Sequence, residues 1–294
     1  METCFTLSRP DGQALAGYIW ARAAKPRAVL VVSHGMGEHA RRYRPALAKL
    51  IDSGIAIYAL DQRGHGETIA LSGLEPGDYG PGGFAAVVED LAALVERARQ
   101  DHPGTPVGLL GHSMGSVSGQ AFLLDHADKL DAAVLVGTTA VDLLAAAMAQ
   151  ATDAMAGLNS PFEPARTPCD WLSRDEAQVD AYIADPFCGF SLVPTSMIDL
   201  LSQAGRLADP AQLSRIPPTL PLYILVGDCD VLTTHFGALQ PLVDRYVAAG
   251  LTPVVAQYPG GRHEILNEIN RDEVVDDLLV WLDQTLDAPP RLRL

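Results

Sequence analysis

The chain has 294 residues, 48% of them hydrophobic, and a formal net charge of −15 at pH 7. That length and core content suit one large α/β domain carrying an insertion, and the acidic balance argues against nucleic acid, whose phosphates such a surface would repel. Four dispersed cysteines (Cys4, Cys169, Cys188, Cys229) without Cys-x-x-Cys spacing suggest neither a zinc site nor a disulfide framework, and the sequence reads as a cytoplasmic protein with reduced thiols. No basic-then-apolar leader opens the chain, and no run of about 18 uncharged apolar residues predicts a spanning helix.

Residues 3–8 and 16–20 flank the turn sequence Pro10-Asp11-Gly12 and predict an opening β-hairpin. Ala28–Ser33 is a continuous apolar run, as expected of a strand buried on both faces, and it ends in His34-Gly35-Met36-Gly37-Glu38-His39. Tyr43, Leu47, Leu50 and Ile51 then recur at helical spacing, closed by Gly54. A strand over Ile55–Leu60 runs into Asp61-Gln62-Arg63-Gly64-His65-Gly66, followed by a helix with Val87, Leu91, Leu94, Val95 and Ala98 on one face. Residues 107–116 read as strand, sharp turn and helix start, and Ala132–Val136 as another short buried strand. Such alternation implies right-handed crossovers and a mainly parallel sheet. It stops over residues 138–215, read as a helical insertion: an Ala- and Met-rich helix over 141–158, a Pro-rich stretch, and Ser173-Arg174-Asp175-Glu176 as a capping box opening a helix through Ile183. Alternation resumes with a strand over 220–226, a helix over 234–249, a strand over 253–258 and a last helix with Val274, Val275, Leu278, Leu279, Leu282 and Leu286 on one face.

The chemistry-bearing turn is Gly111-His112-Ser113-Met114-Gly115, a Gly-x-Ser-x-Gly between strand and helix. A serine at such a turn exposes its hydroxyl, and the two glycines let strand and helix approach. A serine hydroxyl needs a base, and the base needs an orienting group. His263, in the loop after the last strand, supplies the base; Asp228 and Asp230, after the preceding strand, are the two candidate acids. The chain order Ser113, then Asp228 or Asp230, then His263 is the Ser, Asp, His order of the α/β-hydrolase arrangement. Charge growing on the former carbonyl oxygen calls for backbone donors, for which Met114 and Met36 are the candidates. His102, His126 and His235 fall at helix ends and take no role.

Together these motifs resemble the α/β-hydrolase superfamily and, within it, the monoacylglycerol lipase and lysophospholipase group, also called the serine aminopeptidase S33 family. His34-Gly35-Met36-Gly37-Glu38-His39, Asp61-Gln62-Arg63-Gly64-His65-Gly66, Gly111-His112-Ser113-Met114-Gly115, Gly227-Asp228-Cys229-Asp230 and His263-Glu264 carry the resemblance in the family's order. It implies an α/β-hydrolase fold: a mostly parallel eight-stranded sheet with helices on both faces, a core of residues 1–137 and 216–294, and a helical cap over 138–215. It also implies Ser113 as nucleophile, Asp230 rather than Asp228 as acid, His263 as base, and Met36 and Met114 as oxyanion donors. Trp171-Leu172-Ser173-Arg174 and Asp185-Pro186-Phe187-Cys188 look like the group's cap, Glu38 and Arg42 match polar positions near a glycerol head group, and Asp61, Arg63 and His65 are scaffold. Two positions depart from the pattern: Ser116 replaces a second glycine after the elbow, and Leu266 stands where mammalian monoacylglycerol lipases have a second histidine.

The resulting expectation is a serine esterase without cofactor or metal, acting on a small-molecule or lipid ester such as a monoacylglycerol or lysophospholipid. Leu143, Leu144, Met148, Met155 and Leu158 either line an acyl-chain tunnel or cover the core. The cap is a candidate for transient contact with a membrane surface. A peptidase or amidase, a thioesterase and an acyltransferase are the rival chemistries on the same triad, and a catalytically silent binding protein is the rival of another class.

Overall fold

Alternate residues of the strand Ala28–Ser33 enter two different cores: Val29 and Val31 belong to one apolar cluster, Leu30 and Val32 to the other. All six residues of the strand are buried, which is why the sequence there has no polar alternation. This computed structural model describes residues 1–150, 157–235 and 237–286.

Eight strands make one sheet: β1 (Glu2–Ser8), β2 (Ala14–Trp20), β3 (Ala28–Ser33), β4 (Ile55–Leu60), β5 (Val107–His112), β6 (Ala132–Val136), β7 (Leu222–Gly227) and β8 (Val254–Tyr258). Their order is β1-β2-β4-β3-β5-β6-β7-β8. β1 and β2 pair antiparallel, as do β2 and β4, and every other neighbour is parallel. This is the α/β-hydrolase arrangement. From β3 the chain steps to β4 on one side and later to β5 on the other, so the strand order reverses between β3 and β5. Loops leaving the carboxyl ends of two such strands splay apart and open a crevice. The loops in question carry Met36 and Ser113.

Helices α1 (Gly83–Asp101) and α2 (Met114–His126) supply Val87, Leu91, Leu94, Phe122 and Leu123 to one core. The last helix is on the opposite face, where Val274, Leu278 and Leu282 pack with Leu47 and Leu50. Between β6 and β7 the chain leaves the sheet for helices α3 (Val141–Gln150), α4 (Glu176–Ala184) and α5 (Pro194–Ser202), with no strand among its described residues. α6 (Leu239–Ala248) and α7 (Arg271–Leu286) complete the set. No helix among the described residues is long and apolar enough to cross a membrane.

Three expectations need correction in detail, and a fourth is described only in part. The helix through Tyr43 and Ile51 breaks at Leu47 into Tyr43–Ala46 and Ala48–Asp52. α4 is capped by Asp175, whose carboxylate accepts from the amides of Ala177 and Gln178, while Ser173 Oγ donates to Asn267 O and accepts from Asp175 N one turn earlier. The helix expected from 234 begins only at Leu239: Val231–His235 forms a wide turn, and Gly237 follows at φ +60°. The helix expected over 141–158 is described as far as Gln150, with 151–156 outside the described residues.

Candidate active site

Ser113 has φ +54° and ψ −120°, the one described non-glycine residue at positive φ. A side chain held there costs about 1–3 kcal/mol and persists only where its surroundings enforce it. They do so here. A Cβ on Gly111 would fall 2.3 Å from Gly115 O, and one on Gly115 would fall 2.1 Å from Ser33 O, so β5, α2 and β3 meet through backbone alone. Ser113 N donates to Val136 O at 3.0 Å, and Ser116 Oγ donates to Ser113 O at 2.6 Å and lies 3.0 Å from Thr138 Oγ1, whose hydroxyl it can accept. The serine at 116 therefore braces the turn from inside.

The loop after β8 brings His263 to the same edge of the sheet, where the ring is 2% exposed. Its Nδ1 is 3.1 and 3.0 Å from the two carboxylate oxygens of Asp230, which is fully buried after β7. Burial alone would raise the Asp230 pKa, but the facing His263 and the hydrogen bonds from Thr233 Oγ1 and Leu232 N hold it below the ordinary carboxyl value. Because a carboxylate only accepts, Nδ1 directs its proton at Asp230 and Nε2 points away from it. Nε2 is buried and has no hydrogen-bond partner among the described residues. Asp228, by contrast, is exposed and accepts from Gly260 N at 2.6 Å, which is turn chemistry.

Ser113 and His263 both line a cavity of about 930 Å³, together with Gly35, Met36 and Met114. Met114 is the first residue of α2, so its amide has no carbonyl partner within the helix. The cavity's apolar lining comes largely from the stretch between β6 and β7, with Leu144, Met148, Leu158, Met197, Leu200 and Leu201.

A second part of the lining is charged and closed on itself. Glu38 Oε1 accepts from Gly35 N (2.6 Å) and Tyr43 OH (2.7 Å), and Glu38 Oε2 accepts from Arg42 (2.7 Å). Arg42 also binds Glu264 with both guanidinium nitrogens, each at 2.8 Å, and its guanidinium lies 4.8 Å from the centre of the Tyr182 ring. His112 Nδ1 is 2.8 Å from Tyr43 OH and 3.3 Å from Glu38 Oε1, while its Nε2 is 3.2 Å from His263 O. A carbonyl can only accept, so His112 Nε2 carries a proton toward His263 O, while Nδ1 faces Tyr43 OH and Glu38. Burial works against a charge on the ring, yet the Glu38 carboxylate outweighs it and the His112 pKa is raised. Burial likewise opposes the charge on Glu38 and Glu264, and Arg42 prevails, holding both carboxyls low. Arg42 thus lies between two carboxylates, and His112 is set against the first of them.

A family model described as serine aminopeptidase, S33, matches residues 24–270. The chain belongs to the serine aminopeptidase S33 family. It is 32% identical over 270 residues to a monoacylglycerol lipase of Mycolicibacterium smegmatis, covering 90% of this chain and 91% of that one. It is 28% identical over 290 residues to a human monoglyceride lipase, covering 95% and 89%. Among solved structures, a thermostable carboxyl esterase from Bacillus coagulans in complex with glycerol matches with a TM-score of 0.85 at 28% identity, over 97% of this chain and 99% of that one.

Of the residues that the S33 motifs single out, the fold brings Ser113, His263, Met36, Met114 and Glu38 to one cavity, with Asp230 directly behind His263. Met148 lines the cavity as well. Leu143 does not: it packs against the core, as its neighbour Leu144 turns inward. Arg42 also stays out of the cavity and acts on it through Glu38 and Glu264. Met155 lies outside the described residues. Leu266 is a buried member of the α7-side core. Asp61 accepts from Tyr18 OH, Ala40 N and Glu67 N, and Arg63 is 2% exposed between Asp11 and Asp90. Burial drives the pKa of His34 down to about 4 and that of His65 to about 3, so these rings are neutral parts of the scaffold. Sequence reasoning assigned no part to His112, Tyr43, Glu264 or Trp171. The first and third flank Ser113 and His263 in sequence, a signal available from adjacency; Trp171 was read only as part of a cap motif, and its ring lies 5.2 Å from that of His263.

Proposed function

We propose that the protein is a serine carboxylic-ester hydrolase that cleaves monoacylglycerols through a covalent acyl-enzyme on Ser113. The observation that carries this reading is the buried Nε2 of His263, left without a partner among the described residues and backed by Asp230, in the cavity that Ser113 also lines. His263 takes the Ser113 proton as Oγ attacks the ester carbonyl, then returns it to the departing alkoxide so that glycerol leaves. Water, activated by the same imidazole, releases the fatty acid. The amides of Met36 and Met114 bind the oxyanion; each such donor lowers the barrier by about 3–4 kcal/mol.

Residues 138–215 act as the cap, and its leucines and methionines hold the acyl chain by non-directional contact. The exposed Ile183, Phe187 and Ile198 of this cap are the apolar surface suited to brief contact with lipid during substrate uptake. The choice of a neutral head group over a phosphate follows from charge. Arg42 is consumed by two carboxylates, and Arg166, at the cavity lining, is bound by Asp180 at 2.6 Å. A lysophosphatidate would meet Glu38 and Glu264 with no unpaired arginine among the described lining residues.

The test is kcat/KM for a 1-monoacylglycerol against a lysophosphatidate and an aminoacyl amide of matched size. The reading requires the monoacylglycerol to be the best substrate and Ser113→Ala to be inactive. Faster cleavage of the amide would make the enzyme a peptidase and overturn it.

A further inference from the structure

Beside the catalytic cavity, three side chains of different donor type converge that the proposed mechanism does not use. His39 follows the loop that carries Met36, whereas Asp185 and Cys188 end and follow α4 in the cap. One ligand atom from each lies within 4.8 Å of the other two, and His39 Nε2 is 2.9 Å from Asp185 Oδ2. We propose that His39, Asp185 and Cys188 bind a soft divalent cation of the zinc class, which clips the cap to the oxyanion loop.

Several features of the backbone prepare the site. Cys188 N donates to Asp185 O at 3.0 Å, closing a turn that puts the carboxylate and the thiol on adjoining positions three residues apart. Phe187 N donates to Asp185 Oδ1 at 2.9 Å and so leaves Oδ2 to His39. Gly189 N donates to Gly37 O at 3.0 Å, tying the cap turn to the loop of His39 without help from any side chain. Around zinc, with bonds of about 2.0–2.3 Å, tetrahedral ligand atoms sit about 3.3–3.8 Å apart. The observed spread therefore needs only small side-chain rotations.

The donor set also fixes the class of ion. One thiolate, one imidazole and one carboxylate suit zinc or cadmium, whereas magnesium and calcium demand oxygen. On binding, the Cys188 thiol loses its proton to solvent, a sulfur–metal bond forms, and the His39–Asp185 hydrogen bond gives way to two metal bonds. Thiolate and carboxylate then neutralise the dication, and the fourth position falls to water because all three residues are only half-buried. Gly189, Phe190 and Ser191, next in the chain, line the cavity, as do Gly35 and Met36. Joining these two stretches restrains the cap, so the ion slows substrate entry and product release.

The test uses the full chain, freed of metal with a chelator and titrated with cadmium while the ultraviolet sulfur-to-cadmium charge-transfer band is followed. In parallel, zinc is titrated against hydrolysis of a soluble ester. Wild type is expected to take up one equivalent of cadmium with a charge-transfer band and to lose activity with zinc but not with magnesium. Cys188→Ser should keep its metal-free activity and lose both the band and the sensitivity to zinc, and Asp185→Asn should weaken both. A variant with Cys4, Cys169 and Cys229 changed to serine should behave as wild type. A band that survives Cys188→Ser, or that disappears in the triple variant, overturns the proposal. So does equal zinc inhibition of Cys188→Ser and wild type, which would place zinc on the His263–Asp230 pair instead, and so does the absence of cadmium binding to wild type.

Discussion

One part of the cavity lining, Glu38, His112 and Glu264, belongs to a charge network closed behind the cavity by Arg42 and Tyr43, and another is the aliphatic surface of Leu144, Met148, Met197, Leu200 and Leu201. The first is made of directional bonds between buried ions, which have one good geometry and a high cost for any other. The second is made of flexible apolar side chains, whose contacts change little when their partner changes shape. The network reaches the proposed catalytic residues directly, because His112 holds the backbone carbonyl of His263 and Glu38 holds the amide of Gly35. Orientation is thus assigned to the charged part and accommodation to the apolar part, so damage to the two parts should register in different measurements.

The largest effect is expected where charge touches the reaction. Asp230→Asn should cut kcat by about 10⁴-fold, since the His263 tautomer is then wrong, while Asp228→Asn, on the exposed turn, should leave kcat within a few-fold. Steady-state kinetics of the two variants separates the aspartates. Next comes stability. Glu38→Ala removes one of the two carboxylates that hold Arg42, the one facing His112, and the acceptor of Tyr43 OH and Gly35 N, and should cost about 3–5 kcal/mol in denaturant unfolding, whereas Met148→Ala, on the half-buried apolar part, should cost about 2 kcal/mol or less. Equal costs would abolish the distinction drawn between the two parts.

The apolar part should answer to chain length instead. Met197→Trp fills space that the acyl chain needs, and kcat/KM for long-chain relative to short-chain esters should fall about ten-fold with folding stability little changed. The smallest effect is the pH dependence of melting. The His112 pKa is raised on folding, so its stabilisation is complete below the unfolded value of 6.5 and is lost as pH rises through the folded value. That of Glu38 is lowered, so its stabilisation is complete above 4.5 and is lost as pH falls below it. Melting scans should therefore show an alkaline decline of a few degrees in wild type that His112→Gln flattens, with the acid limb retained.

The fold was legible wherever one local signal sufficed. β3 and β4 are uniformly apolar because the sheet is covered on both faces, and their limits follow from that run alone. The elbow was legible because only glycine tolerates the approach of β3 and α2. What stayed hidden depends on contacts distant in sequence. Arg42 and Glu264 are 222 residues apart, and nothing near either announces the other. Cys188 looked isolated among dispersed cysteines until the fold laid its turn against His39. The start of α6 was misplaced because Asp230 draws Leu232 and Thr233 into its own hydrogen bonds and holds the following turn wide. Leu143 and Leu144 are equally apolar, and periodicity alone does not say which of two neighbours faces the cavity.

The central claim is that Ser113 forms the acyl-enzyme under the control of His263. Its most direct test is intact-mass and peptide mapping after exposure to a fluorophosphonate carrying a monoacylglycerol-like chain. The account predicts a single adduct on Ser113 in wild type, none in Ser113→Ala, and a greatly slowed adduct in His263→Ala. An adduct on another serine, or labelling of wild type and Ser113→Ala at the same rate, would contradict it.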